Sequence, residues 1–98
     1  MTPEGKVKAA VKAVLKEIGA FYYMPVQNGL GVIGIPDFIA CIRGSFLAIE
    51  TKAPGKANNT TPNQKARMRE ICNAGGVALV IDTTDKDAIR SAIRCALC

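Results

Sequence analysis

The stretch Pro36-Asp37-Phe38-Ile39-Ala40-Cys41-Ile42-Arg43-Gly44-Ser45-Phe46-Leu47-Ala48-Ile49-Glu50-Thr51-Lys52 decides how this chain is read. Two mainly apolar runs, Pro36 to Arg43 and Phe46 to Lys52, flank Gly44-Ser45. Glycine first in a two-residue connection suits a type II′ turn, so an antiparallel hairpin is expected. That turn pairs Arg43 with Phe46, which sets Asp37 opposite Lys52 and Ile39 opposite Glu50. Side chains alternate along strands, so Asp37, Glu50 and Lys52 project from one face. Asp37 and Glu50 are then diagonal neighbours, with Cα atoms about 7–8 Å apart. Charges in apolar strands are costly to bury unpaired, and two acids beside a lysine suit a hard, oxygen-ligated cation. The same residues also satisfy a plainer arrangement: an Asp37–Lys52 cross-strand ion pair with a solvated Glu50. A one-residue slip would move Asp37 to the other face.

On the N-terminal side, Thr2 to about Ile18 reads as a helix. Thr2 suits the N-cap, Pro3 the first helical position and Glu4 the positive end. Val7, Ala10, Val11, Val14, Leu15 and Ile18 form the apolar stripe, with Glu17 at its border. Phe21 to Met24 reads as an edge strand ended by Pro25. Gly29-Leu30-Gly31-Val32-Ile33-Gly34 matches G-x-G-x-x-G, but a strand follows it where a dinucleotide site needs a helix. A tight turn, or a close approach of the backbone to a ligand, explains these glycines better, and no nucleotide cofactor is expected.

On the C-terminal side, Ala53 to Thr60 reads as a polar, irregular, mobile loop. Thr61-Pro62-Asn63-Gln64 is a helix start with a capping box, and the helix runs to about Ala74 with Met68, Ile71 and Cys72 inward. Gly75-Gly76 ends it. Val77 to Ile81 reads as a continuous apolar strand, central in the sheet. Thr84 is the expected cap of a last helix, with Ala88, Ile89, Ala92, Ile93, Ala96 and Leu97 inward. The order α-β-β-β-α-β-α predicts an α/β fold with a mixed sheet flanked by helices, in one domain spanning 1–98.

Composition narrows the chemistry. The chain has 98 residues, 13 Lys+Arg against 8 Asp+Glu, a net charge of +5 and no histidine. Histidine-dependent nucleophile systems and His-ligated zinc are thereby excluded. The basic balance suits an anionic partner. Lys56 and Lys65 flank the loop after Glu50-Thr51-Lys52, and Arg69 follows Lys65 by four residues; all three are candidate contacts for such a partner. No apolar run approaches a membrane span, and no signal core precedes the first helix, so a cytoplasmic setting is expected. Of the four cysteines, only Cys95 and Cys98 form a C-x-x-C; with no second such pair, the thiols are expected to be structural or incidental.

Gly34-Ile35-Pro36-Asp37, then Glu50-Thr51-Lys52, then Thr61-Pro62-x-Gln64 at a helix start, then Gly75-Gly76-Val77 into a strand, resembles the PD-(D/E)xK nuclease superfamily. More narrowly, the set is similar to the VRR-NUC domain, the virus-type replication-repair nuclease, over nearly the whole chain. The resemblance implies a restriction-endonuclease-like fold and metal-dependent hydrolysis of DNA phosphodiester bonds. It implies that Asp37 and Glu50 ligate Mg²⁺ or Mn²⁺, with the Thr51 carbonyl and Glu17 as further metal ligands. Lys52 would orient or deprotonate the attacking water, and Gln64 would join the catalytic set. Asn28 and its neighbour Gln27 would lie in a loop against the DNA backbone. Small stand-alone members resemble Holliday-junction resolvases, which implies an endonuclease acting as a homodimer on branched DNA in replication or repair. The alternative is a non-catalytic DNA-binding module with a degenerate site, against which the intact Asp37, Glu50 and Lys52 argue.

Overall fold

Local capping chemistry sets two of the three helix starts where the sequence places them. In the computed structural model, which describes residues 1–27 and 29–98, Thr2 Oγ1 accepts the Gly5 amide at 2.9 Å and opens α1 (Pro3–Glu17). Val7, Ala10, Val11, Val14 and Leu15 are its buried stripe. Thr61 opens α2 (Pro62–Asn73) with a complete capping box. The third helix, α3 (Lys86–Leu97), starts one residue later than expected: Asp85, not Thr84, is the cap, and its Oδ1 accepts the Asp87 and Ala88 amides. Ile89 and Ile93 are buried as expected, whereas Ala88 is exposed.

Four strands form one mixed sheet in the order β1 (Phe21–Tyr23), β2 (Phe38–Ile42), β3 (Ser45–Thr51), β4 (Val77–Ile81). The first three are antiparallel neighbours, and β4 returns parallel to β3 through α2. The element order is the α-β-β-β-α-β-α of the sequence reading. Phe38, Ala40, Leu47 and Ile49 point to the face packed by α1 and α3, and together with Ile81 they complete the core. Ala48 and Glu50 alternate to the opposite face, where α2 lies.

The hairpin turn differs from the expected one. Ile42 pairs with Ser45, so Arg43-Gly44 is the two-residue connection, and both have positive φ, 50° and 86°. This is the backbone pattern of a type I′ turn, which twists with the strands. The register is therefore displaced by two residues from the Arg43–Phe46 pairing. An even displacement keeps every side chain on its face. Continuing it by one pair puts Asp37 directly opposite Glu50 rather than diagonal to it. Arginine is a poor occupant of positive φ, so Arg43→Asn is expected to stabilise the protein by about 0.5 kcal/mol. The check is a rise of roughly 2–4 °C in Tm.

Three further expectations change. Strand β4 is at the sheet edge, not central; its apolar run arises because α2 and α3 pack on its two faces. Cys72 is exposed, and α2 buries no residue fully, so it covers the sheet with Met68 and Ile71 only partly enclosed. The loop after Lys52 is not irregular throughout. It contains a 3-10 turn, Ala57–Asn59, whose first amide donates to Asp82 Oδ2 at 3.1 Å, and Thr60 Oγ1 donates back to the Ala57 carbonyl at 2.8 Å. All four cysteines are free and exposed. Among the described residues no helix is long and apolar enough to cross a membrane.

Candidate active site

One glycine brings the two halves of the site together. Gly34 has φ +87°, and a Cβ there would lie 2.5 Å from the Asn63 carbonyl carbon and 2.8 Å from the Gln64 nitrogen. The backbone that leads into Pro36 and Asp37 thus abuts the first turn of α2, the turn that carries Gln64. The close approach at Gly34 is to the protein's own helix and not, as expected, to a ligand, and the G-x-G-x-x-G segment leads into β2 with no helix directly after it.

Asp37 precedes β2 and faces the end of β3. Its Oδ2 accepts two hydrogen bonds from Thr51, from the amide at 3.0 Å and from Oγ1 at 2.6 Å. These bonds fix the carboxylate plane and leave Oδ1 turned away from Thr51. Glu50 is 4% exposed. Its Oε2 accepts Gln64 Nε2 at 3.0 Å and lies 3.8 Å from Lys52 Nζ. Among the described residues its buried Oε1 has no hydrogen-bond partner. Lys52 Nζ donates to Gln64 Oε1 at 2.8 Å, and the same Oε1 accepts the Thr61 amide at 2.9 Å. One Gln64 side chain thus closes the cap and also bonds Lys52 and Glu50.

Burial lifts the Glu50 carboxyl to about 7, chiefly by desolvation; the Asp37 charge adds to the rise and Lys52 opposes it. A carboxyl raised in this way binds its proton more tightly folded than unfolded. Unfolding then releases a proton between pH 4.5, the ordinary value, and about 7, so stability of the metal-free protein falls as pH rises through that window. The urea midpoint measured in EDTA is expected to drop across it, and Glu50→Gln is expected to flatten the drop. An undiminished slope in the Gln variant would assign the titration to another group.

No family model and no curated relative matches the sequence. Solved structures do match it. One titled "VRR_NUC domain" superposes with a TM-score of 0.74 at 22% identity, over 96% of this chain and 97% of the other. Another, titled "VRR_NUC domain protein", gives 0.71 at 20% identity over 99% of this chain and 88% of the other. The chain has the VRR-NUC fold. The mixed sheet, the flanking helices and the α-β-β-β-α-β-α order are shared over nearly the full length.

Within this VRR-NUC fold, the donor set is suited to a divalent cation. Two carboxylates face each other across β2 and β3, and one buried Glu50 oxygen lacks a hydrogen-bond partner, which is costly unless a cation ligates it. Among the described residues no group of three or more His, Cys, Asp or Glu is placed to hold a metal ion. Mg²⁺ needs only one or two carboxylates and otherwise keeps water and substrate phosphate. Thr51 follows Glu50 at the end of β3 and bonds Asp37 through its amide and hydroxyl, and its carbonyl is the expected additional ligand.

Of the two acids of α1, Glu4 and not Glu17, the expected ligand, lies near the Asp37–Glu50 pair. Glu17 is exposed at the last turn of α1 and is held by Arg90 of α3, whose hydrogen bond keeps its carboxyl below the ordinary range. Glu4 and Glu17 are about 20 Å apart along the helix axis at roughly 1.5 Å per residue. Glu4 pairs with Lys8 at 3.5 Å, Lys8 reaches Asp37 at 3.8 Å, and the Glu4 charge is felt at Glu50. The sequence signal was present in the i,i+4 spacing of Glu4 and Lys8, but which end of α1 meets the sheet is a tertiary fact.

The expected DNA contacts are placed unevenly. Lys65 and Arg69 are exposed one turn apart on α2 and line a groove of about 610 Å³ with Asn58, Thr60 and Met68. Lys56 is exposed just before the 3-10 turn that borders that groove. Asn28 lies outside the described residues. Gln27 turns back on its own loop, donating to the Ile35 carbonyl at 3.1 Å.

Proposed function

We propose that this chain is a metal-dependent nuclease that hydrolyses DNA phosphodiester bonds, an endonuclease acting on branched DNA. The observation that carries the reading is the buried, partnerless Oε1 of Glu50, set opposite Asp37 and beside Lys52. Asp37, Glu50 and the Thr51 carbonyl would hold Mg²⁺ or Mn²⁺. When bound, such an ion lowers the pKa of water and polarises a phosphoryl oxygen. Lys52 Nζ, aimed by Gln64 Oε1, orients the attacking water and offsets charge that grows on the phosphate. Gln64 Nε2 fixes the Glu50 carboxylate, so one amide sets the positions of both base-side groups. Lys56, Lys65 and Arg69 carry the flanking phosphates along the groove beside α2.

The reading includes a homodimer. Phe21, Cys41 and Phe46 are register partners across β1, β2 and β3, and all three are exposed, Phe21 by 79%. This apolar row supports a seam on the sheet face that α2 leaves open. A two-fold pair of sites would give matched cuts on opposed arms of a junction.

The test uses labelled four-way junction, splayed and linear duplex DNA in Mg²⁺, Mn²⁺ and EDTA. Paired, metal-dependent nicks confined to the junction are expected. Cutting of flaps or ends alone would keep the nuclease and discard the resolvase. Tight binding without cutting in either metal would favour the DNA-binding module with a degenerate site.

A further inference from the structure

The acidic site has two ammonium groups, and the proposed chemistry uses only one. Lys52 approaches from the α2 side, is 12% exposed and is fixed by Gln64. Lys8 approaches from α1. Its Nζ lies 3.5 Å from Glu4 Oε2 and 3.8 Å from Asp37 Oδ1, and its side chain is 37% exposed. Its charge also reaches Glu50, where it opposes the Glu4 effect. The plain account of Lys8 is an i,i+4 partner of Glu4 on a solvated helix face. The contact with Asp37, on a different element, goes beyond that account.

The choice of oxygen matters. Asp37 Oδ2 is saturated by the Thr51 amide and hydroxyl, so Oδ1 is the oxygen left for a cation. Oδ1 is the atom that Lys8 approaches. Two cations cannot both approach one carboxylate oxygen without strong mutual repulsion. Lys52 is enclosed, but Lys8 has a path to solvent.

Building on the metal-dependent reading above, we infer that Lys8 is a resident counter-ion of the site, which competes with the divalent ion for Asp37 Oδ1. In the metal-free protein the ammonium, shared between the Glu4 and Asp37 carboxylates, offsets one of their two negative charges. On metal binding it swings out along the α1 surface and becomes free to meet substrate phosphate. Metal affinity is thereby held below what the carboxylates alone would give.

The experiment is calorimetric titration of the full chain with Mn²⁺, without DNA, for the unmodified protein, Lys8→Met, Lys8→Arg and Asp37→Asn. Lys8→Met keeps the apolar stem and removes the charge, and it is expected to bind Mn²⁺ about tenfold more tightly. Lys8→Arg, which keeps the charge, is expected to stay within about threefold of the unmodified protein. Asp37→Asn is expected to lose the binding. Thermal melts give a second readout: Mn²⁺ should raise the Tm of Lys8→Met more than that of the unmodified protein. Equal or weaker binding by Lys8→Met, with loss in Asp37→Asn, overturns the competition and leaves the metal site standing. Binding that survives in Asp37→Asn, or none in any folded variant, overturns both.

Discussion

Lys52→Met is expected to cleave four-way junction DNA about a thousandfold more slowly than the unmodified protein, while melting within a few degrees of it. The two halves of this expectation have separate causes. The ammonium group stands 3.8 Å from Glu50 and is aimed by Gln64 Oε1, so its loss is expected to remove both charge and orientation at the attacking water. The fold is spared because methionine keeps the stem, and Gln64 Oε1 still accepts the Thr61 amide. Glu50, already lifted to about 7 by burial, can take up a proton when its counter-ion is gone, so no unpaired charge is left in the interior. Single-turnover cleavage at saturating protein separates the chemical step from DNA binding. A variant within tenfold of the parent would remove Lys52 from the chemistry.

Gly34→Ala is expected to cost about 3 kcal/mol and to lower Tm by roughly 15 °C. A Cβ at this position meets backbone on the other side, the Asn63 carbonyl group at 2.5 and 2.6 Å and the Gln64 nitrogen at 2.8 Å. Backbone cannot rotate away as a flexible side chain can, so either the Pro36-Asp37 segment or the start of α2 must shift. Either movement parts Asp37 from the Gln64 network, and cleavage should fall with stability. Gly29→Ala is the control. It has the same kind of backbone, φ +79°, but nothing within 4 Å of the added carbon. Its cost should be the conformational strain alone, about 1 kcal/mol. Equal losses at the two positions would show that positive φ, not close approach, governs Gly34.

The parts of the fold that were legible in the sequence are those governed by short-range chemistry. Thr2 with Pro3 and Thr61 with Pro62 and Gln64 state their helix starts within four residues, and both caps form. The hairpin was legible as a hairpin but not in register. Gly44 suits the first position of one primed turn and the second of another, and the strain-bearing Arg43 hid the choice. The site survived that error because the displacement was even, which leaves Asp37, Glu50 and Lys52 on a common face. The edge position of β4 was not legible. An apolar run records that both faces are covered, and says nothing of whether a neighbour lies alongside. The exchange of Glu17 for Glu4 has a similar origin. Both acids belong to one helix, and the crossing of that helix over the sheet decides which reaches the site. Periodicity placed Glu17 at the border of the stripe, where Arg90 of a distant helix meets it.

Gln64 narrows the alphabet that selection can use at its position. Its oxygen accepts from Thr61 and Lys52, and its nitrogen donates to Glu50. Glutamate would serve both donors but would set a further negative charge against Glu50 and offer it no hydrogen. Asparagine has the same groups on a shorter arm and cannot span the capping distance and the site together. Lysine would satisfy Glu50 and leave the Thr61 amide and Lys52 without an acceptor. Mutational drift here is thus constrained twice, by the helix that must begin and by the carboxylate that must be held. A lineage in which the proposed cleavage was lost would still be pressed to keep an acceptor for the cap, so relaxation of the position toward glutamate would be an early sign that the proposed chemistry had been given up while the fold was retained.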